Sequence, residues 1–194
     1  MGINEPKIKL QSDWGKNFVV PDIRTYYEIT EKFEENLIKL TDLDNRFTVK
    51  DFFGGGIGFS SSRNKLKKTF RVLENQEDFQ GIYVFYHKEE PFYTGLSRGV
   101  LKRIQQHIKG RNHFTSSLCY TMGAQWYQEK HHKKHIGGRG ALNFKIYSEP
   151  FKRLLKEKTS AAILPIESPV ELYLFECFVA ITLETQYYNK FETH

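Results

Sequence analysis

The sequence predicts an α/β protein in which a small central, mostly antiparallel sheet is flanked by helices. Two runs of aromatic and β-branched residues, 81–86 and 91–96, are separated by a short polar segment, which is typical of a β-hairpin. Helical patterns lie on both sides of this pair. With 194 residues, 39% of them hydrophobic, the chain has enough apolar material for one domain, or for one domain with an extension.

Residues 1–78 are predicted to be an N-terminal extension. Residues 1–24 are expected to form an arm, and Thr25 to Leu40 an acidic amphipathic helix with apolar residues at helical spacing. A glycine-rich loop and a small basic run follow. The loop is not a nucleotide P-loop, because no Gly-Lys-Ser/Thr follows the glycines. The glycines are Gly54, Gly55, Gly56 and Gly58, and the basic residues are Arg63, Lys65, Lys67, Lys68 and Arg71.

Residues 79–194 are predicted to be the main domain. After the hairpin, Ser97 is a candidate N-cap for a helix from Arg98 to about Lys109. A basic insertion is expected over residues 111–158. The third strand is assigned to residues 159–166, with residues 142–147 as the alternative. A nearly apolar helix with proline at its start covers residues 169–185.

The positive charge is concentrated in one block. The net charge is +6, yet residues 98–158 alone carry 14 Lys and Arg against three Glu, a balance of +11, so the rest sums to −5. Such a block predicts a surface that meets a polyanion, and a solvated basic face is the alternative. No stretch approaches the ~18 apolar residues of a membrane span. Only two cysteines are present, too few for a disulfide scaffold. We therefore expect a soluble, cytoplasmic protein with no membrane partner.

The hairpin and its neighbours resemble a known family. Gly81-Ile82-Tyr83, followed after nine residues by Tyr93-Thr94-Gly95, is similar to the paired signature of the GIY-YIG nuclease superfamily. Arg103 lies ten residues after Tyr93, where the family keeps its catalytic arginine, and His107 matches a histidine one turn later. The sequence departs from the pattern at Thr94, where Ile or Val is usual, and at Leu96, where lysine is frequent.

The resemblance implies a set of catalytic residues and a metal. The set is Tyr83, Tyr93, Arg103, His107, Glu176 and Asn189. Glu176 is the implied ligand for Mg²⁺ (or Mn²⁺), an ion that prefers carboxylate, water and phosphate oxygens. Glu171 is the alternative ligand on the same helix. Arg103 offers a permanently charged donor fork for phosphate, and Tyr83 is the candidate general base.

These residues and the basic block predict a Mg²⁺-dependent endonuclease that hydrolyses DNA, of a stand-alone, restriction-enzyme type. A catalytically inactive nucleic-acid-binding module of the same fold and an RNA-directed nuclease are the alternatives. A homodimer is one way to cut both strands. A zinc site at His131, His132 and His135 is disfavoured by their spacing. The expected nucleic-acid contacts are Arg98, Lys102, Lys109, Arg111, Lys133, Lys134 and Arg139.

Overall fold

The computed structural model describes residues 24–53, 60, 61, 64 and 78–189. Its centre is a four-stranded sheet in which the spatial order of the strands is residues 46–48, 159–165, 81–87 and 90–97, and every neighbouring pair of strands is antiparallel. Helices flank this sheet, which confirms the predicted fold class. The strands are β1 (Arg46–Thr48), β2 (Gly81–His87), β3 (Glu90–Ser97) and β4 (Thr159–Pro165). The helices of the described residues are α1 (Tyr26–Thr30), α2 (Phe33–Thr41), α3 (Val49–Phe53), α4 (Val100–Lys109), α5 (Ser117–His131), α6 (Glu149–Lys158) and α7 (Pro169–Thr182).

Strand β2 is buried on both faces, which explains its nearly continuous apolar run. Successive side chains point to opposite faces of a strand. Tyr83 and Phe85 therefore belong to the core shared with α4, α5 and α6. Ile82, Val84 and Tyr86 belong to a second core shared with α2 and α7. The hairpin is thus held between two helical layers.

The described part of the predicted N-terminal extension packs into the same fold. Strand β1 pairs with β4 at one edge of the sheet. The single helix expected over 25–40 is two helices, because α1 ends at Thr30 and α2 begins at Phe33. The domain boundary at residue 78 stays a prediction. The arm up to residue 23, the glycine-rich loop and the small basic run lie outside the described residues.

Helix α4 begins later than predicted and has a different cap. Ser97 does not cap it, because the cap position is Gly99 and the helix starts at Val100. Asp78 supplies the cap from the segment before β2: its carboxylate oxygens accept hydrogen bonds from the backbone N–H groups of Leu101 and Lys102 at 2.9 and 3.0 Å. A carboxylate also suits the positive end of a helix dipole. The contact ties the start of α4 to the start of the hairpin.

Residues 159–165 form the third strand of the predicted domain, which confirms the preferred assignment over the alternative. The alternative is wrong because residues 144–148 form a π-helical turn. The side chain of Asn143 accepts a hydrogen bond from the backbone N–H of Ile146 at 3.1 Å and so starts that turn. Alternating hydrophobicity over six residues does not distinguish a strand from such a turn.

Among the described residues, no helix has the length and apolar character needed to cross a membrane.

Candidate active site

The phenol of Tyr83 lies over a glycine of the neighbouring strand. Tyr83 on β2 is the direct register partner of Gly95 on β3. A Cβ atom at Gly95 would come within 2.5 Å of both the phenol oxygen and the carbon that carries it. Gly81 has a similar constraint, since a Cβ there would lie 2.2 Å from the carbonyl oxygen of Leu164 on β4. The outer glycines of both tripeptides are therefore required by close approach of neighbouring atoms.

Tyr83 and His107 form a buried hydrogen-bonded pair. The phenol oxygen lies 2.8 Å from Nε2 of His107, and both side chains are completely buried. Burial raises the pKa of Tyr83 well above its usual value, and Tyr93 adds to this, whereas the positive charge of Arg103 opposes it. Burial, assisted by Arg103, lowers the pKa of His107 well below its usual value. Both groups are therefore uncharged at neutral pH.

Tyr93 and Arg103 complete the cluster around this pair. The ring centroid of Tyr93 lies 6.1 Å from that of Tyr83 and 5.9 Å from that of His107. Arg103, one turn before His107 on α4, is partly buried. Its guanidinium donates to the hydroxyl of Ser117 at 2.5 Å and to the side-chain carbonyl of Gln106 at 3.3 Å. Two partners from two helices thus fix the direction of this cation.

Glu176 lies on α7, beside the outer strand β3. Burial raises the pKa of its carboxyl to about 7, and a hydrogen bond from the Leu96 backbone N–H opposes that rise. No cation among the described residues lies within 4.0 Å of it. Glu171, the alternative ligand, pairs instead with Arg24 at 2.9 Å. Of the two carboxylates, Glu176 is the one whose charge is left uncompensated by the described part of the chain.

Tyr93 connects Glu176 with the rest of the cluster. Its pKa is raised by burial, lowered by Arg103 and by a hydrogen bond with Tyr83, and raised again by the negative charge of Glu176. No hydrogen bond or ion pair within the described ranges joins Glu176 directly to Arg103 or to Tyr83. The carboxylate and the guanidinium therefore both influence the pKa of the Tyr93 phenol without bonding to each other.

Asn189 acts on the backbone next to Tyr93. Its amide oxygen accepts a hydrogen bond from Thr94 N–H at 3.1 Å, and its amide nitrogen donates to Thr94 C=O at 2.5 Å. The Thr94 hydroxyl also lies 2.9 Å from that of Thr185. Because β3 is an edge strand, these bonds satisfy backbone groups that another strand would otherwise pair. Asn189 is thus placed to hold the chain after α7 on the strand of Tyr93.

The residues expected to contact nucleic acid are all exposed. They lie at the two ends of α4 and in the loops on either side of α5: Arg98, Lys102, Lys109, Arg111, Lys133, Lys134 and Arg139. No group of three or more His, Cys, Asp or Glu side chains within the described segments is arranged to hold a metal ion, the three histidines of residues 131–135 included.

Sequence reasoning missed the residues that position the cluster. Ser117 and Gln106 hold Arg103, and Asp78 caps its helix. Gln106 lies three residues after Arg103 on the same helix, so their spacing alone indicates that the two side chains can make contact. Ser117 and Asp78 belong to no motif, and nothing in the linear pattern links either to α4.

Comparison with known proteins agrees with this geometry. Residues 79–153 match a family model described as GIY-YIG catalytic domain. No curated protein matches the chain, and no solved structure does. The matched segment contains both tripeptides together with Arg103 and His107, whereas Glu176 and Asn189 follow it. Residues 79–153 therefore carry a GIY-YIG catalytic domain, which places this segment of the chain in the GIY-YIG nuclease superfamily.

Proposed function

We propose that the protein is an endonuclease of the restriction type that hydrolyses phosphodiester bonds in DNA in the cytoplasm, with Mg²⁺ or Mn²⁺ bound at Glu176. The observation that carries the proposal is the cluster of Tyr83, His107, Tyr93 and Arg103, with the uncompensated carboxylate of Glu176 beside it. The exposed basic residues at the two ends of α4 and in the loops on either side of α5 would supply the electrostatic attraction for DNA.

The donor chemistry of Glu176 fits a hard divalent cation. Burial raises the pKa of the half-buried Glu176 carboxyl because it disfavours the ionised form, and a cation beside the group stabilises that form. Mg²⁺ is commonly held by one or two carboxylates, with water and substrate phosphate as its remaining ligands. When bound, such an ion would stabilise developing negative charge on phosphate oxygens.

Arg103 is the proposed phosphate-binding group. Its planar guanidinium presents several N–H donors and stays charged at every working pH. Ser117 and Gln106 already hold it from the side, so little rotamer entropy remains to be lost when a phosphate binds. In the transition state the negative charge on the phosphate oxygens increases, and a preorganised cation stabilises that state more than the ground state.

Tyr83 is the proposed general base, and His107 is the group that makes this possible. A phenol with a raised pKa does not lose its proton at neutral pH. Because its side chain is completely buried, it can take a proton from the attacking water only when the site opens enough to admit that water, and only if its own proton moves at the same time. His107 Nε2 lies 2.8 Å away and accepts that proton in the tautomer that carries its own hydrogen on Nδ1. Burial and Arg103 oppose the charged ring, so His107 holds the proton only transiently. The positive charge of Arg103 favours the phenolate character that develops during this transfer.

The test is nicking of supercoiled plasmid in the presence of Mg²⁺. Arg103→Ala and Glu176→Gln should each reduce cleavage at least about a hundredfold. The matched controls are Arg153→Ala, which removes an exposed arginine from α6, and Glu171→Gln on the same helix as Glu176. Cleavage that is unchanged in both site variants would refute the site.

The same assay separates the alternative functions. Tight, salt-dependent DNA binding with no cleavage under any divalent ion would favour the inactive module of the same fold, in which Leu96 replaces the frequent lysine. A panel of DNA and RNA substrates distinguishes a DNA-directed nuclease from an RNA-directed one. Sizing the protein with and without DNA tests whether two copies act together on the two strands.

A further inference from the structure

A pocket separate from the Tyr83–Arg103 cluster lies where α5 ends. It has a volume of about 290 Å³, and its lining includes the aromatic rings of Tyr127 and Tyr147, the imidazole of His135 and the side chains of Lys133 and Lys134. None of these aromatic residues belongs to the proposed catalytic machinery. The pocket is large enough for one planar organic group together with its charged substituent.

Aromatic rings form one wall of this pocket. The Tyr127 centroid lies 5.2 Å from that of Tyr147 and 5.4 Å from that of His135, at interplanar angles of 68° and 89°. The hydroxyl of Tyr147 is held by Nε2 of His131 at 2.8 Å. The rings therefore have fixed orientations and offer both faces and edges to a flat ligand.

A polar atom in the same wall is unsatisfied. Nδ1 of His135 is buried and has no hydrogen-bond partner within the part of the chain that the structure describes. Because this atom has almost no accessible surface, a ligand in the pocket reaches it only if the imidazole ring turns. A buried polar atom without a partner costs free energy, and such a turn would recover that cost. At the rim, the ammonium groups of Lys133 and Lys134 are exposed, and the neighbouring Ile136 is 88% exposed. The lining thus combines stacking surface, one hydrogen-bond site and two positive charges.

The position of the pocket relative to Arg103 follows from α5. Ser117, at the first residue of α5, holds the Arg103 guanidinium, and Tyr127 lies ten residues further along the helix. At 1.5 Å per residue this is a separation of about 15 Å along the helix. One DNA strand advances about 3.4 Å per nucleotide, so the interval corresponds to roughly four or five nucleotides.

We propose that this pocket binds a single DNA base that has left the base stack, with Lys133 and Lys134 on the phosphates beside it. A phosphate alone would use the lysines and leave the aromatic wall and His135 Nδ1 without a role. An apolar ligand would not need the lysines. A nucleotide uses all of these features, since bases stack on aromatic rings and bond through their edges. The inference rests on the proposed function only for the identity of the nucleic acid.

The test is equilibrium binding to fluorescein-labelled duplexes without divalent ions, measured by fluorescence anisotropy. Three duplexes are compared: one fully paired, one with a single bulged base, and one with an abasic nucleotide in the same bulge. In the bulge the base is already unpaired, and the abasic version keeps the backbone shape while removing the base. We expect the wild type to bind the bulged base about tenfold more tightly than the abasic bulge, the range of one stacking interaction.

Variants assign this preference to the pocket. His135→Ala and Tyr147→Ala should abolish the preference for the bulged base. Lys133→Gln should instead weaken binding to all three duplexes and reduce the salt dependence of binding by about one charge. The matched control is Lys32→Gln, which removes an exposed lysine at the start of α2 and should leave binding unchanged. Thermal melting of each variant verifies that it is folded.

Equal affinity for the bulged and abasic duplexes would overturn the inference, and so would a preference that survives in both aromatic-wall variants. Failure of the proposed function has a different signature. A protein that shows the preference but never cleaves keeps the pocket and loses the nuclease activity. A protein that cleaves without any preference does the reverse.

Discussion

The contact between Gly95 and Tyr83 predicts a large effect from adding one methyl group. In Gly95→Ala the new Cβ would lie 2.5 Å from the Tyr83 phenol oxygen. An ordinary contact begins near 3.4 Å, so the phenol must move by roughly 1 Å. Tyr83 is completely buried and bonded to His107 at 2.8 Å, so this movement breaks the bond or displaces both rings. Overpacking of this kind costs about 1–3 kcal/mol of unfolding free energy.

The effect on catalysis should be visible in the folded variant, separately from the effect on stability. A displacement of about 1 Å in a catalytic group costs on the order of a hundredfold in rate. Plasmid nicking and thermal melting are measured on the same preparation, at a temperature where the variant is fully folded. Gly138→Ala is the matched control, because a Cβ at Gly138 meets no atom within 4 Å. Wild-type nicking and melting temperature in Gly95→Ala would refute the packing argument.

Three further predictions concern stability, each measured by melting against wild type. Asp78→Ala should lower the free energy of unfolding by about 1 kcal/mol, the usual contribution of a helix N-cap. Ser97→Ala should lower it clearly less, and equal losses would contradict Asp78 as the cap. Asn189→Ala should cost about 1–3 kcal/mol through its two bonds to the Thr94 backbone, and an unchanged melting temperature would show that they contribute nothing. Burial holds the pKa of His107 below its usual value, so the unfolded chain takes up a proton near pH 6.5 while the folded chain does not. Wild type should therefore lose stability as the pH falls below about 6.5, and His107→Gln should lose less; parallel pH profiles would contradict a neutral, buried His107.

The order of the site residues was predictable from the sequence, whereas their contacts were not. The two tripeptides, and Arg103 ten residues after Tyr93, can be recognised by their positions along the chain alone. They lie on the hairpin and on α4, which are local elements. The ligand choice between Glu176 and Glu171 was open in the sequence, because both lie on one apolar helix. In the structure Arg24 pairs with Glu171, while Glu176 as the metal ligand stays a prediction. That contact joins residues 147 positions apart, and spacing within a helix carries no information about it.

By itself the sequence determined the hairpin, the helix after it and the concentration of positive charge, because side-chain periodicity and composition are local properties. The two edges of the sheet depend instead on long-range contacts, because β1 pairs at one edge and Asn189 bonds to the backbone of the other. Tertiary structure alone decided that Ser117 holds Arg103, and that rings from α5 and residues 135–147 form one pocket. The physical reason is common to these cases: burial and close packing select partners from distant parts of the chain, and such partners leave no periodic trace in the sequence.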